Sequence, residues 1–93
     1  MILAEQLILY HRTSKENVES ILKNGLLRNK AKSLKCIYLS KCKDTSFGDV
    51  LFEVTLNSNK YPKCYRLSDW EHIVFHDISP EDITLIYAEI NKA

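Results

Sequence analysis

Ninety-three residues leave room for one hydrophobic core, because domains usually run to about 100–200 residues. Hydrophobic residues make up 45% and charged residues 27%, near the globular average, which excludes disordered, collagen-like and coiled-coil classes. Thirteen Lys+Arg against 12 Asp+Glu give a net charge of +1, too little for a global field that would draw the chain to nucleic acid or to an anionic membrane.

Only two glycines and two prolines are present, so no Gly-rich phosphate loop of the P-loop or Rossmann kind can be built. Residues 1–10 are apolar in places, but they include Glu5, lack a basic leader and fall well short of a membrane span. With no export signal evident, a cytoplasmic location and no membrane partner are expected. Cys36, Cys42 and Cys64 are odd in number and lack C-x-x-C spacing. They are expected to be free thiols, and their spacing argues against a metal site shared with His72 or His76.

Residues 7–11 form a short β-compatible run that leads straight into a helix start. Thr13-Ser14-Lys15-Glu16 fits the T-x-x-E capping box, in which hydroxyl and carboxylate satisfy each other's orphan helix amides. Val18, Ile21 and Leu22 then supply one apolar stripe, and Asn24-Gly25 a left-handed stop. Residues 36–40 are expected to form a second strand, followed by a polar loop over 41–46. Residues 50–56 alternate as a third strand, with Val50, Phe52, Val54 and Leu56 on the core side. Beyond a turn at 57–62, further strands are expected over 64–67, 71–76 and 83–90, with a Ser79-Pro80-Glu81-Asp82 turn before the last. The pattern predicts a single domain over residues 1–93, mostly short strands with one clear N-terminal helix, hence α+β or mainly β, with α+β preferred.

His11 at a strand end, Tyr38 in a strand, Ser46 in a loop and Glu71 at a strand entrance are the polar and aromatic candidates for chemistry. Residue type alone leaves each open, since such groups are also found as structural or merely solvated side chains.

Three stretches, taken in order, resemble the ADP-ribosyltransferase superfamily. Leu9-Tyr10-His11-Arg12-Thr13-Ser14, followed by a helix ending Ile21-Leu22-Lys23-Asn24-Gly25-Leu26, is similar to its opening strand and helix. Ile37-Tyr38-Leu39-Ser40 resembles the second strand, which carries the Tyr of the H-Y-E triad in the diphtheria-toxin and poly(ADP-ribose) polymerase branch. Glu71-His72-Ile73-Val74-Phe75, with Ile83-Thr84-Leu85-Ile86-Tyr87 downstream, resembles the final hairpin, where the catalytic Glu precedes an apolar strand. The chain would be a minimal-length member.

The resemblance implies a split, curved antiparallel β-core that holds NAD⁺ as co-substrate and transfers its ADP-ribose to a macromolecular acceptor; the near-neutral charge favours a protein over a nucleic acid as that acceptor, a single base in a local groove staying open. His11 would hydrogen-bond a ribose hydroxyl, Tyr38 would wall the nicotinamide, and Ser46 would meet the carboxamide. Glu71 would stabilise the positive charge that develops on the sugar. Arg12 stands where most H-Y-E relatives have Gly, and its planar fork suits the pyrophosphate; Thr13 adjoins it in the same binding stretch. Asp69 stands where arginine-modifying relatives carry Glu or Gln. The NAD⁺-using tRNA 2′-phosphotransferases share the opening but have a second His where this chain has Tyr38. The alternatives are an NAD⁺ glycohydrolase, with water replacing the acceptor, and a non-catalytic module of the same fold that binds a nucleotide or a protein. If the resemblance holds, His11 and Tyr38 lie on adjacent strands and Glu71 on a third, facing the same concavity.

Overall fold

The computed structural model describes residues 6–28, 35–43 and 50–88, with residues 87 and 88 by backbone alone. In chain order the elements are β1 (Gln6–Thr13), a 3₁₀ turn (Lys15–Asn17) running into helix α1 (Val18–Asn24), then β2 (Ile37–Ser40) and β3 (Val50–Asn57). After these come β4 (Cys64–Arg66), β5 (Glu71–Val74), a second 3₁₀ turn (Pro80–Asp82) and β6 (Ile83–Ala88). The strands form one antiparallel sheet in the order β4-β5-β2-β1-β3-β6, an α+β arrangement that is mostly sheet.

The joints between strands are unequal. β1 pairs with β3 along its whole length, from Gln6↔Asn57 to Thr13↔Val50, and β2 pairs with β5 along all four of its residues. Between β1 and β2 the one ladder pair among the described residues is Tyr10↔Ser40. The sheet is therefore two firmly laddered halves, β4-β5-β2 and β1-β3-β6, joined along a seam with one residue pair.

Alternation puts Val50, Phe52, Val54 and Leu56 of β3 on one buried face, as their spacing predicts, opposite Thr13, His11, Leu9 and Leu7 of β1. Leu9, Phe52 and Val54 are fully buried there, and Ile21, Leu26, Ile37, Leu39, Val74, Ile78 and Ile83 complete the core. Leu51, which alternation turns the other way, is buried as well.

Three local expectations are corrected. Thr13 does not cap the helix, because it is the last residue of β1; its Oγ1 accepts from Asn17 Nδ2 at 2.8 Å. Ser14 takes the N-cap position of the 3₁₀ turn and Asn17 that of α1, neither with a side-chain cap bond, and the Ser14 hydroxyl is the main reason that the Glu16 carboxyl sits below its ordinary pKa. Leu22 is 48% exposed, since a seven-residue helix turns only Ile21 fully into the core and Val18 partly. β5 stops at Val74 instead of residue 76: the Lys63 N–H donates to the His76 ring Nε2 at 2.9 Å, so a side chain takes the place of a ladder carbonyl. Residues 89 and 90 of the last expected strand lie outside the described residues.

The expected stop at Gly25 is present, at φ 80° and ψ −166°. Leu26 and Ile78 exchange both main-chain hydrogen bonds immediately after it, at 3.0 and 2.8 Å, which ties the helix exit to the segment before β6. No helix among the described residues is long and apolar enough to cross a membrane.

A polar cluster closes the β3–β6 end. The buried Tyr61 hydroxyl donates to Asp82 Oδ2 and accepts from the Ser79 N–H at 3.0 Å, while Lys60 Nζ lies 2.7 Å from both Asp82 and Glu81. Tyr61→Phe should cost about 1–3 kcal/mol in urea unfolding, because it leaves the Ser79 N–H without its partner. Burial alone would raise the Asp82 pKa, but the hydrogen bonds from Lys60 and Tyr61 and the Lys60 charge outweigh it and hold it below the ordinary carboxylate value. A folded-state pKa that is depressed contributes stability above the unfolded value, about 3.9, and loses it as pH falls through the folded one. Thermal unfolding of wild type should accordingly weaken in acid by a component that Asp82→Asn lacks.

Candidate functional site

Register determines which side chains share a face. Tyr38 lies opposite Ile73 and Ser40 opposite Glu71, so these four project from one face of the β2–β5 pair. Ile37, Leu39, His72 and Val74 occupy the other, buried face. Tyr10, opposite Ser40, carries the open face across the seam, and Tyr65, opposite Ile73, carries it to the edge strand. Tyr38 and Glu71 are thus one row apart on adjacent strands, on the same open face.

Their electrostatics agree with that closeness. The Tyr38 hydroxyl pKa is raised, first by a hydrogen bond with the Cys36 thiol and by the charge there, then by burial and by the Glu71 carboxylate. Tyr38 itself is 42% exposed, which suits a ring that a flat ligand covers. Glu71 is half-buried, and its main-chain carbonyl accepts from the N–H groups of Leu67 and Ser68 at 2.8 and 3.2 Å. The strand entrance that carries the carboxylate is fixed by the β4–β5 turn.

The expected common concavity is met by Tyr38 and Glu71 but not, by sheet face, by His11. By alternation it belongs to the Leu9 face, opposite Phe52, and not to the face of Tyr38. Its imidazole reaches across the seam, where Nδ1 stands 3.4 Å from the Tyr38 carbonyl, a long contact. A carbonyl oxygen only accepts, so the proton is assigned to Nδ1, leaving Nε2 as an acceptor. Burial pushes the His11 pKa below its ordinary value; the Tyr38 carbonyl works against this and the Arg12 charge adds to it. At neutral pH the ring is uncharged, as an acceptor for a sugar hydroxyl must be.

Arg12 lies opposite Leu51 on the Tyr10 face, half-buried. Among the described residues Lys35 is the one non-glycine with positive φ, so Arg12 keeps ordinary strand backbone. The Thr13 oxygen already accepts from Asn17, although its hydroxyl can still donate. Ser46 lies outside the described residues. Asp69 is ion-paired with Arg66, three residues earlier on the same turn.

Sequence reading passed over two residues beside Glu71. Tyr65 and Trp70 are 52% and 60% exposed, on β4 and at the β4–β5 turn. The usable signal was the alternation Lys63, Tyr65, Leu67, which places a large aromatic on a solvent-facing strand position. His72, adjacent to Glu71 in sequence, is 5% exposed on the opposite face, with no hydrogen-bond partner for Nδ1 among the described residues.

Tyr38 and Glu71 together can stack a flat ring and set a carboxylate beside a developing cation, while His11, from the other face, offers an acceptor at the strand seam. Among the described residues no three or more His, Cys, Asp or Glu side chains are grouped to hold a metal ion. No model of a known protein family and no curated protein matches this chain.

Proposed function

We propose that this domain transfers ADP-ribose from NAD⁺ to a macromolecular acceptor, with Glu71 as the catalytic carboxylate. The observation that carries the reading is the shared open face of Tyr38 and Glu71, with the uncharged His11 ring at the Tyr38 main chain. The narrow β1–β2 joint also suits a split core with a ligand lodged at the split.

Tyr38 would lie against the nicotinamide and His11 Nε2 would accept from a ribose hydroxyl, with Arg12 on the pyrophosphate. As the bond from ribose C1′ to the nicotinamide nitrogen breaks, the electron pair leaves with nicotinamide and positive charge moves onto the sugar. Glu71, holding a hydroxyl of that sugar, stabilises this state more than the ground state. The acceptor's lone pair forms the new bond at C1′ and its proton passes to solvent.

Binding is tested apart from chemistry. NAD⁺ or nicotinamide should raise the melting temperature through preferential binding to the folded state, and Tyr38→Ala should reduce that shift. Arg12→Ala should also weaken NAD⁺, because a phosphate partner is lost. Calorimetry that detects neither heat nor stabilisation at millimolar NAD⁺ would defeat the reading.

A further inference from the structure

The turn after β2 carries a positive charge back to the seam. The Lys41 N–H donates to the Trp70 carbonyl at 2.8 Å, which extends the β2–β5 ladder by one residue. The Ser40 hydroxyl then accepts from the Cys42 N–H at 3.0 Å and bends the chain. Lys43 follows, and its Nζ stands 5.8 Å from the centre of the Tyr10 ring on β1. Attraction to a ring face holds the ammonium loosely and leaves its N–H groups able to donate to an anion.

Register relates this lysine to the site. Glu71, Ser40, Tyr10 and Glu53 form one row on the open face, across β5, β2, β1 and β3. Two interstrand spacings, about 10 Å, separate Glu71 from Tyr10. A nicotinamide ribose held at Glu71 can therefore lay its phosphates along the row toward β1, where Arg12 is the phosphate partner of the proposed function. Arg12 lies opposite Leu51, so the Glu53 carboxylate is its diagonal neighbour, within reach of a long side chain. The pyrophosphate of NAD⁺ carries two negative charges, and beside Glu53 a single guanidinium does not balance them. Lys43, brought to the same tyrosine from the β2 side, is a second cation.

We infer that Lys43 binds the pyrophosphate of NAD⁺ together with Arg12 at the Tyr10 ring, so that the site selects a dinucleotide over free nicotinamide. The inference rests on the NAD⁺ reading of this face and adds a residue to it. In sequence Lys43 is one polar residue of a polar loop, where solvation is the ordinary fate of a lysine.

The test is calorimetry of the full chain with NAD⁺, ADP-ribose and nicotinamide, of which the last lacks phosphate. Lys43→Ala should weaken NAD⁺ and ADP-ribose roughly 10-fold at low salt, the scale of one hydrogen bond to a charged group, and leave nicotinamide unchanged. The loss should shrink as salt rises, because Lys43 is exposed. Lys43→Arg, which keeps the charge, should restore most of the affinity. Lys63→Ala removes an equal charge just before the β4 edge strand and should bind all three probes as wild type does. Lys43→Ala equal to wild type toward NAD⁺ and ADP-ribose would overturn this inference and leave the NAD⁺ reading standing. An equal loss in Lys63→Ala would also overturn it, by marking a diffuse field in place of a contact. Wild type that binds none of the three would defeat the NAD⁺ reading, and this inference with it.

Discussion

Glu71→Gln is expected to lower nicotinamide release by roughly 100-fold or more while leaving NAD⁺ affinity nearly intact, the usual scale for removing one preorganised electrostatic contact. Gln keeps the size and a hydrogen bond but lacks the negative charge, so ground-state binding survives and stabilisation of the sugar cation does not. The substitution is exposed to little packing risk, because Glu71 is half-buried at a strand end and its main-chain bonds to Leu67 and Ser68 remain. An unchanged melting transition is still required before lost activity is read as chemistry. Cell extract belongs in the assay, since a transferase without its acceptor releases little nicotinamide. A Glu71→Gln variant as active as wild type would remove Glu71 from the catalytic role, and with it the H-Y-E assignment. Wild type that binds NAD⁺ yet releases no nicotinamide, with or without extract, would point to a non-catalytic binding module.

Gly25→Ala should be the most damaging single-methyl addition among the described residues. At φ 80° and ψ −166° the backbone lies in a region that only glycine populates freely, and an added Cβ would stand 1.9 Å from the Ile78 carbonyl oxygen. Relief would require separating Leu26 from Ile78, both buried and joined by two hydrogen bonds. A loss of about 3 kcal/mol or more is expected, from a total of about 5–14 kcal/mol for a chain of this length. The midpoint of thermal unfolding should fall by about 12 °C or more. Leu22→Ala on the same helix should shift stability by less than about 0.5 kcal/mol, because that side chain is largely solvated. Equal effects from the two substitutions would contradict the packing described here.

What sequence made legible was local. The β3 alternation marks its core face because neighbouring side chains on a strand must point opposite ways, and Asn24-Gly25 marks a helix end because few residues tolerate positive φ. The capping box misled because Thr13 satisfies a motif that tests spacing alone, while its backbone is already committed to Val50 on β3. Strand order and register were not legible, since each pairing joins segments far apart in the chain. The same reason separates the site residues: His11, Tyr38 and Glu71 could be singled out by resemblance, but the crossing of His11 to the Tyr38 carbonyl depends on how β1 meets β2. Tyr65 and Trp70 were passed over because exposure of an aromatic is a property of the folded surface.

The seam has a further consequence. Every second peptide group along β1 is directed toward β2, yet a single residue pair is there to receive them. Peptide N–H and C=O groups seldom go unmatched, so any that the two banks do not share with each other or with neighbouring chain are dipoles available to a polar guest lying between the strands. Such dipoles belong to the chain itself and survive every side-chain replacement. Affinity drawn from them would persist through substitution at His11, Tyr38 or Glu71 taken singly, and would vanish only if the two banks zipped together.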